Sequence, residues 1–311
     1  MSNIVEELRK ESVQSLFSIN TMQRCFPVWK NAINRLAPTR TPSQILALGD
    51  HLSDIFHETA TAGRGQGDVS SGGTAWESLV CWYLNLCLIG RRTVVIRHNK
   101  ALIPAPVGNA ITVNYHNFAS NTESDLIAIT FPDKEEYRCD KNTIMFTDAR
   151  GRRIRTQTTR GNFNLKKIID ALCERDFHEL EIHVIQCKTN WNDNAQIPML
   201  WDAVYAAKNF RNGVSVGRNN YSISSVANFT YSFVTVPTNS LDQYKPNTTR
   251  VKRVMNLSGG NYWGHETRDD VAASVKEMLH RNLLNGHIDD HRVTLLAELP
   301  HIDTSYQYFG L

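Results

Sequence analysis

The 311-residue chain has no C-x-x-C pair, although it carries six cysteines, at positions 25, 81, 87, 139, 173 and 187. That argues against a zinc knuckle. Cys81, Cys87, Cys139 and Cys173 stand beside apolar residues and read as reduced thiols serving as small hydrophobes, rather than as redox or nucleophilic groups. No apolar run reaches the roughly 18 residues needed to cross a bilayer. The longest, Leu79–Ile89, is short and interrupted by Asn85. The opening MSNIVEELRKE has no apolar signal-peptide core, so a soluble, cytoplasmic protein with no membrane partner is expected. There is no internal repeat and no low-complexity tract. G-x-S-x-G and G-x-x-x-x-G-K-[ST] are both missing, so serine-hydrolase and P-loop chemistry lose their usual support, and no nucleotide cofactor is expected. An excess of one charge is missing too. Thirty-four Lys plus Arg stand against 31 Asp plus Glu, a net +3 that does not by itself announce a nucleic-acid binder. What is present is ordinary: 41% hydrophobic and 21% charged residues exclude a disordered chain, a collagen and a disulfide-dense miniprotein.

Residues 4–60 read as helical. Val5, Leu8, Val13, Leu16 and Phe17 recur near helical spacing, as do Ile45, Leu46, Leu48, Leu52, Ile55 and Phe56. Thr41-Pro42-Ser43 fits a helix start. Five glycines between Gly63 and Gly73 predict a mobile loop. Thr74 to Leu88 then predicts a largely buried helix. Strands are expected at Arg92–Arg97, Asp125–Phe131, Thr143–Thr147 and Glu181–Lys188, and over Tyr221–Val236 with a bend near Asn228. Helices are expected at Leu165–Cys173, Ile197–Phe210 and Val271–Leu284, the last opened by Asp269-Asp270, which suits the helix dipole. Strands and helices alternate through the middle. The fold class is therefore α/β, a mixed central β-sheet flanked by helices. Residues 1–62 form a helical N-terminal region, and 63–311 a second unit, unless the whole is one domain.

Three fragments carry chemistry. Gly72-Gly73-Thr74-Ala75-Trp76-Glu77 leads into a helix with one acidic residue. Glu123-Ser124-Asp125 sets a carboxylate at the start of an apolar strand. Val184-Ile185-Gln186-Cys187-Lys188 ends a strand with Gln186 and Lys188 on one face, because strand side chains alternate. Phosphodiester hydrolysis puts extra negative charge on phosphoryl oxygens, and a divalent cation absorbs that charge and makes a water more acidic. Mg²⁺ takes oxygen ligands. Asp125 can supply the firm ligand, Gln186 a neutral oxygen, Cys187 its backbone carbonyl, and Glu77 a further carboxylate. Lys188 would stand near the attacking water. Plainer readings exist for each: Asp125 at a solvated strand end, Gln186 and Lys188 as an exposed polar strand end, Glu77 on a wet helix face.

Together these fragments resemble the PD-(D/E)xK nuclease superfamily, most closely type II restriction endonucleases in a Ser-Asp…Gln-x-Lys variant. Asp125 matches the opening aspartate and Lys188 the closing lysine, while Gln186 replaces the usual acidic residue. The segment through Glu77 is similar to the family's helix motif. The resemblance spans residues 72–210. It implies a restriction-endonuclease-like core, Mg²⁺-dependent hydrolysis of double-stranded DNA at a short specific sequence, and a homodimer for a palindromic target. It also requires Asp125 and Gln186 on neighbouring strands, with Pro132 to Glu179 as an insertion.

Candidate DNA contacts come from three stretches. Arg150, Arg152, Arg153, Arg155 and Arg160 form the densest basic run, between the two proposed catalytic strands. Thr189, Asn190, Trp191, Asn192 and Asn194 follow Lys188 and suit amide recognition of base edges, with Trp191 stacking. Arg250, Lys252 and Arg253 form a third cluster. Each also reads as solvated loop. His287 and His291, four apart, can bind zinc on a helix, but Gly286 and the charges around them favour a turn. Two other functions fit the same residues: a repair or phage-defence nuclease of low specificity, and a non-catalytic DNA-binding protein on the same fold.

Overall fold

The β-branched apolar runs build a mixed five-stranded sheet, and helices cover both of its faces. The computed structural model describes residues 3–61, 69–120, 124–189, 201, 204–205, 214–236, 247, 252, 256, 258–259, 261–262, 273–283 and 291–311. In chain order the main elements are α1 (Ile4–Phe17), α2 (Asn20–Leu36), α3 (Pro42–Ala47), α4 (Leu52–Thr61), α5 (Val69–Cys87), β1 (Thr93–Arg97), α6 (Ala105–Ala110), β2 (Val113–Tyr115), β3 (Phe118–Ser120) and β4 (Leu126–Thr130). They continue with α7 (Glu135–Arg138), α8 (Leu165–Arg175), β5 (Glu181–Lys188), β6 (Val214–Val216), β7 (Asn228–Thr235), the two-residue β8 (Asn261–Tyr262), α9 (Val275–Asn282) and α10 (His291–Glu298).

The sheet order is β1-β4-β5-β7-β8. β4 runs antiparallel to both β1 and β5, while β5, β7 and β8 are parallel. A second antiparallel sheet, β3-β2-β6, stands beside it. Side-chain alternation divides the interior into two layers. Val95, Leu126, Ala128, Ile185, Cys187 and Val234 pack toward α5; Val94, Ile96, Ile127, Ile129, Val184 and Phe233 pack in a cluster with α8. A sheet buried on both faces shows near-continuous apolar runs, and LIAIT of β4 is buried at every position. The N-terminal helices share the first layer: Val13, Trp29 and Ile45 belong to one apolar cluster with Trp76, Leu126 and Val234.

β1 is an edge strand whose outward backbone groups need partners. Asn85, the polar interruption of the apolar helix α5, supplies them. Its Nδ2 donates to the Val95 carbonyl at 2.6 Å, and the Val95 N–H donates to Asn85 Oδ1 at 3.1 Å. Ser12 Oγ adds a donor to the same carbonyl at 2.8 Å. The Asn85→Leu variant is expected to lose about 2 kcal/mol of stability, the cost of an orphaned buried N–H, read as a lower urea midpoint. An unchanged midpoint would show that the edge finds other partners.

Three sequence expectations are corrected. Thr143–Thr147 is not a strand; Thr147 makes only a single bridge to Arg153. Phe146 plugs the core while its neighbour Met145 is 57% exposed, and the backbone pairing goes no further than that bridge and the Ile154 N–H bonded to the Phe146 carbonyl at 2.9 Å. The glycine loop does not extend to Gly73, because α5 already begins at Val69. Gly72 is buried there, and tertiary packing outweighs the ~1 kcal/mol cost of glycine in a helix. Cys139 is exposed, whereas Cys81, Cys87, Cys173 and Cys187 are buried. Burial pushes the Cys81 and Cys87 thiols up to about 12, which keeps both protonated and inert. Of the helix expected over Ile197–Phe210, only residues 201, 204 and 205 lie within the described part, and Gly63–Gly67 lies outside it.

Candidate active site

β4 begins where β5 ends, so the lead-in to one strand meets the tail of the other. Leu126 pairs with Ile185, and one further step of that antiparallel register sets Asp125 opposite Gln186. The Asp125 carboxylate then takes the place of the missing ladder. Its Oδ2 accepts the Cys187 backbone N–H at 2.8 Å. On the other side of Asp125, its own carbonyl accepts the His98 backbone N–H at 3.0 Å. The residue is thus held between β1 and β5. Lys188 Nζ stands 3.8 Å from the same Oδ2. That is an ion-pair distance but too long for a hydrogen bond, so both groups keep capacity for a water or a phosphate oxygen.

Glu77 enters from α5. It is the one charged residue of that helix and its side chain is only 18% exposed. Arg97, at the end of β1, donates Nε to Glu77 Oε2 at 2.8 Å. The wet-face reading of Glu77 therefore fails. Burial raises the Glu77 carboxyl above the ordinary value, the charge of Asp125 raises it further, and Arg97 and Lys188 oppose both. Burial likewise raises Asp125, against Lys188, the Cys187 N–H and Arg97. Two carboxylates that burial and mutual repulsion disfavour as anions, flanked by two cations, make a site whose charge state depends on what binds there.

Folded-state values raised in this way mean that the folded chain holds these protons more tightly than the unfolded one. The stability these groups contribute is fully present below the unfolded carboxyl values, near pH ~4, and is lost as pH rises through the raised folded values. Asp125→Asn keeps an acceptor for the Cys187 N–H and removes the charge. It is expected to be more stable than the parent at pH 7.5, with the difference shrinking toward pH 4.5, in urea titrations at the two pH values. A variant less stable at neutral pH would contradict the assigned sign.

Gln186 is the partial departure. It shares a strand face with Lys188, but it is fully buried and its Oε1 accepts the Tyr231 hydroxyl at 2.7 Å across the β5–β7 pair. Its oxygen is committed to that hydroxyl, which holds the end of β5 against β7. Sequence reasoning missed Arg97, His98 and Tyr231. The first was legible in part: Arg97 ends β1 on the parity of Val95, the face toward α5.

The arginine run is split. It lies in the connection that leaves β4 at Thr130 and enters β5 at Glu181, the end of the sheet opposite Asp125. Arg150, Arg152 and Arg153 sit on an exposed turn whose base, Thr147, is bonded to Arg175 just before β5. Arg152 is paired there with Asp148 at 2.7 Å. Arg155 and Arg160 belong to a second exposed turn, closed by Asn164 N–H to the Thr156 carbonyl at the start of α8. Place in sequence between two strands is thus no guide to place near the Asp125 end of the sheet. Thr189 follows β5 and is half-buried, and Lys252 is exposed. Asn190, Trp191, Asn192, Asn194, Arg250, Arg253, Glu123 and His287 lie outside the described residues. His291 begins α10, with its ring against His280, centroids 5.4 Å apart.

Among the described residues, no three of His, Cys, Asp and Glu gather as a metal cage, and none of their helices is long and apolar enough to cross a membrane. Comparison with family models, with curated proteins and with solved structures gives no match.

Proposed function

We infer that the chain is a divalent-metal-dependent endonuclease acting on double-stranded DNA, of the type II restriction kind, on a restriction-endonuclease-like core. The observation that carries this reading is the Asp125 carboxylate held by the Cys187 N–H, with Lys188 3.8 Å away and Glu77 close enough to feel its charge. Groups fixed by two paired strands keep the positional precision that in-line displacement at phosphorus demands.

The donor set fits a hard cation. Asp125 and Glu77 are hard oxygen donors. The N–H and C=O of one strand residue point to the same side, so the Cys187 carbonyl faces the Asp125 side. Two carboxylates, a carbonyl and retained waters match Mg²⁺ better than a nitrogen- and sulfur-loving metal. Bound there, Mg²⁺ would polarise a phosphoryl oxygen and acidify a water. Asp125 and Glu77 would hold it, with the Cys187 carbonyl as third donor. Lys188 would orient the attacking water and stabilise the charge that develops on the phosphoryl group. Arg97 opposes the rise that burial imposes on the Glu77 carboxyl. Gln186 and Tyr231 support the strand end that carries Lys188. A palindromic target would call for a homodimer, and the buried, protonated thiols accord with a cytoplasmic location.

The test is purified protein with plasmid and phage DNA in Mg²⁺. Discrete fragments support a restriction enzyme. A smear points to a nuclease of low specificity, and salt-sensitive binding without cleavage to a DNA-binding protein.

A further inference from the structure

Beside the site lies a cationic cleft that the reaction does not use. Four segments form its walls: the run after β1 with α6, the end of β3, the start of α8, and the turn after β6. Its volume is about 240 Å³, and Lys100, Lys166 and Arg218 line it together with Gly108, Asn109 and Ser120. That is several times the ~30 Å³ share of one water. The three cations differ in what holds them. Lys166 is committed to Asp170 at 2.5 Å and to the Ile103 carbonyl at 3.1 Å. Arg218 donates Nε to Asn109 Oδ1 at 2.7 Å, a neutral acceptor that fixes the guanidinium without neutralising it. Its terminal nitrogens have no partner among the described residues, and neither has the Lys100 ammonium. With Asp170 cancelling Lys166, two positive charges remain uncompensated beside a concave wall. This is the composition of an anion site, with Arg supplying a fork for phosphate oxygens.

Its place matters as much as its charge. Lys100 comes two residues after His98, whose N–H is bonded to Asp125. Ser120 comes five residues before Asp125, a span of at most ~18 Å of chain. The cleft therefore opens at the Asp125 end of the sheet, unlike the turn that carries Arg150 and Arg153. At ~3.4 Å of duplex axis per nucleotide of one strand, 18 Å corresponds to about five nucleotides.

We propose that this cleft seats the phosphodiester backbone of a duplex within about five nucleotides of the bond cut at Asp125, with Lys100 and Arg218 as the gripping cations. The proposal rests on the reading of duplex DNA as substrate. Its test measures binding apart from cleavage: a fluorescein-labelled 30-base-pair duplex is titrated with full-length protein in EDTA across a salt series. Lys100→Ala combined with Arg218→Ala is expected to weaken binding about tenfold and to lower the salt slope by nearly two, one per lost phosphate contact. Arg150→Ala with Arg153→Ala is expected to stay within twofold of the parent. In Mg²⁺ the cleft variant is expected to raise KM with kcat retained. A cleft variant that binds like the parent, or a turn variant that loses as much, overturns the proposal even if the protein cuts DNA. Cleft-dependent binding by a protein that never cuts DNA removes the nuclease reading and leaves the cleft standing. Absence of any duplex binding by the parent overturns both.

Discussion

Lys188→Ala is expected to lower Mg²⁺-dependent DNA cleavage by about a thousandfold, the scale set by removing one group that stabilises charge at the reacting centre. Asp125→Asn should fall at least as far, because it removes the carboxylate charge that faces Cys187 and Lys188. The two variants separate in stability, and that separation makes the test specific. Lys188→Ala leaves the half-buried Asp125 and Glu77 carboxylates with less compensation, so it is expected to destabilise the fold at neutral pH. Asp125→Asn removes a charge that burial disfavours, so it is expected to stabilise the fold while abolishing cleavage. A merely structural ion pair predicts another pattern, in which both variants lose stability and neither changes the rate per folded molecule. Initial cleavage rates on supercoiled plasmid, beside urea midpoints, decide between them. Cleavage by Lys188→Ala at the parent rate would remove the mechanism.

The sequence was most readable where one local pattern sufficed. TVVIR and EIHVIQCK became β1 and β5 because β-branched residues bounded by polar ones suit a pleated, buried surface. LKKIIDALC became the core of α8 because its apolar residues fall at helical spacing. Ile144-Met145-Phe146 misled because a single buried side chain mimics a strand pattern, while no neighbouring strand takes up the backbone. The same limit applies at the site. The order of Asp125 and Lys188 was visible, since strand ends advertise themselves by a charge beside an apolar run. The Arg97–Glu77 pair, the Tyr231–Gln186 bond and the cleft of Lys100 and Arg218 were not. Each joins residues from different elements, and pairing across elements leaves no periodic trace in one sequence. Arg150, Arg152 and Arg153 show the converse: a dense local signal whose place at the far end of the sheet only the topology reveals.

The largest stability effect is expected far from the site, at Arg9. Its guanidinium is fully buried, and every partner is known. Nε and Nη2 grip the Glu6 carboxylate at 3.0 and 3.1 Å, Nη1 donates to the Thr93 carbonyl at 2.9 Å and to Asn85 Oδ1 at 3.4 Å, and Nη2 donates to the Arg91 carbonyl at 2.7 Å. The Glu6 carboxylate has one further donor, the Gly90 N–H at 2.9 Å. The network pins α1 to the outward edge of β1, beside the Asn85–Val95 pair. Arg9→Leu strands a buried carboxylate and two carbonyls at once, a cost of about 3–5 kcal/mol. Adding Glu6→Leu removes the stranded charge, so the double variant is expected to be more stable than Arg9→Leu alone. Because β1 meets Arg9 at Thr93 and the site at Arg97, both variants should cut DNA at the parent rate below their unfolding transitions. Urea titration of the parent, the single and the double variant, with m compared across all three, checks the claim. A double variant that falls below Arg9→Leu would show that the Glu6 charge is compensated by other groups at the α1–β1 junction.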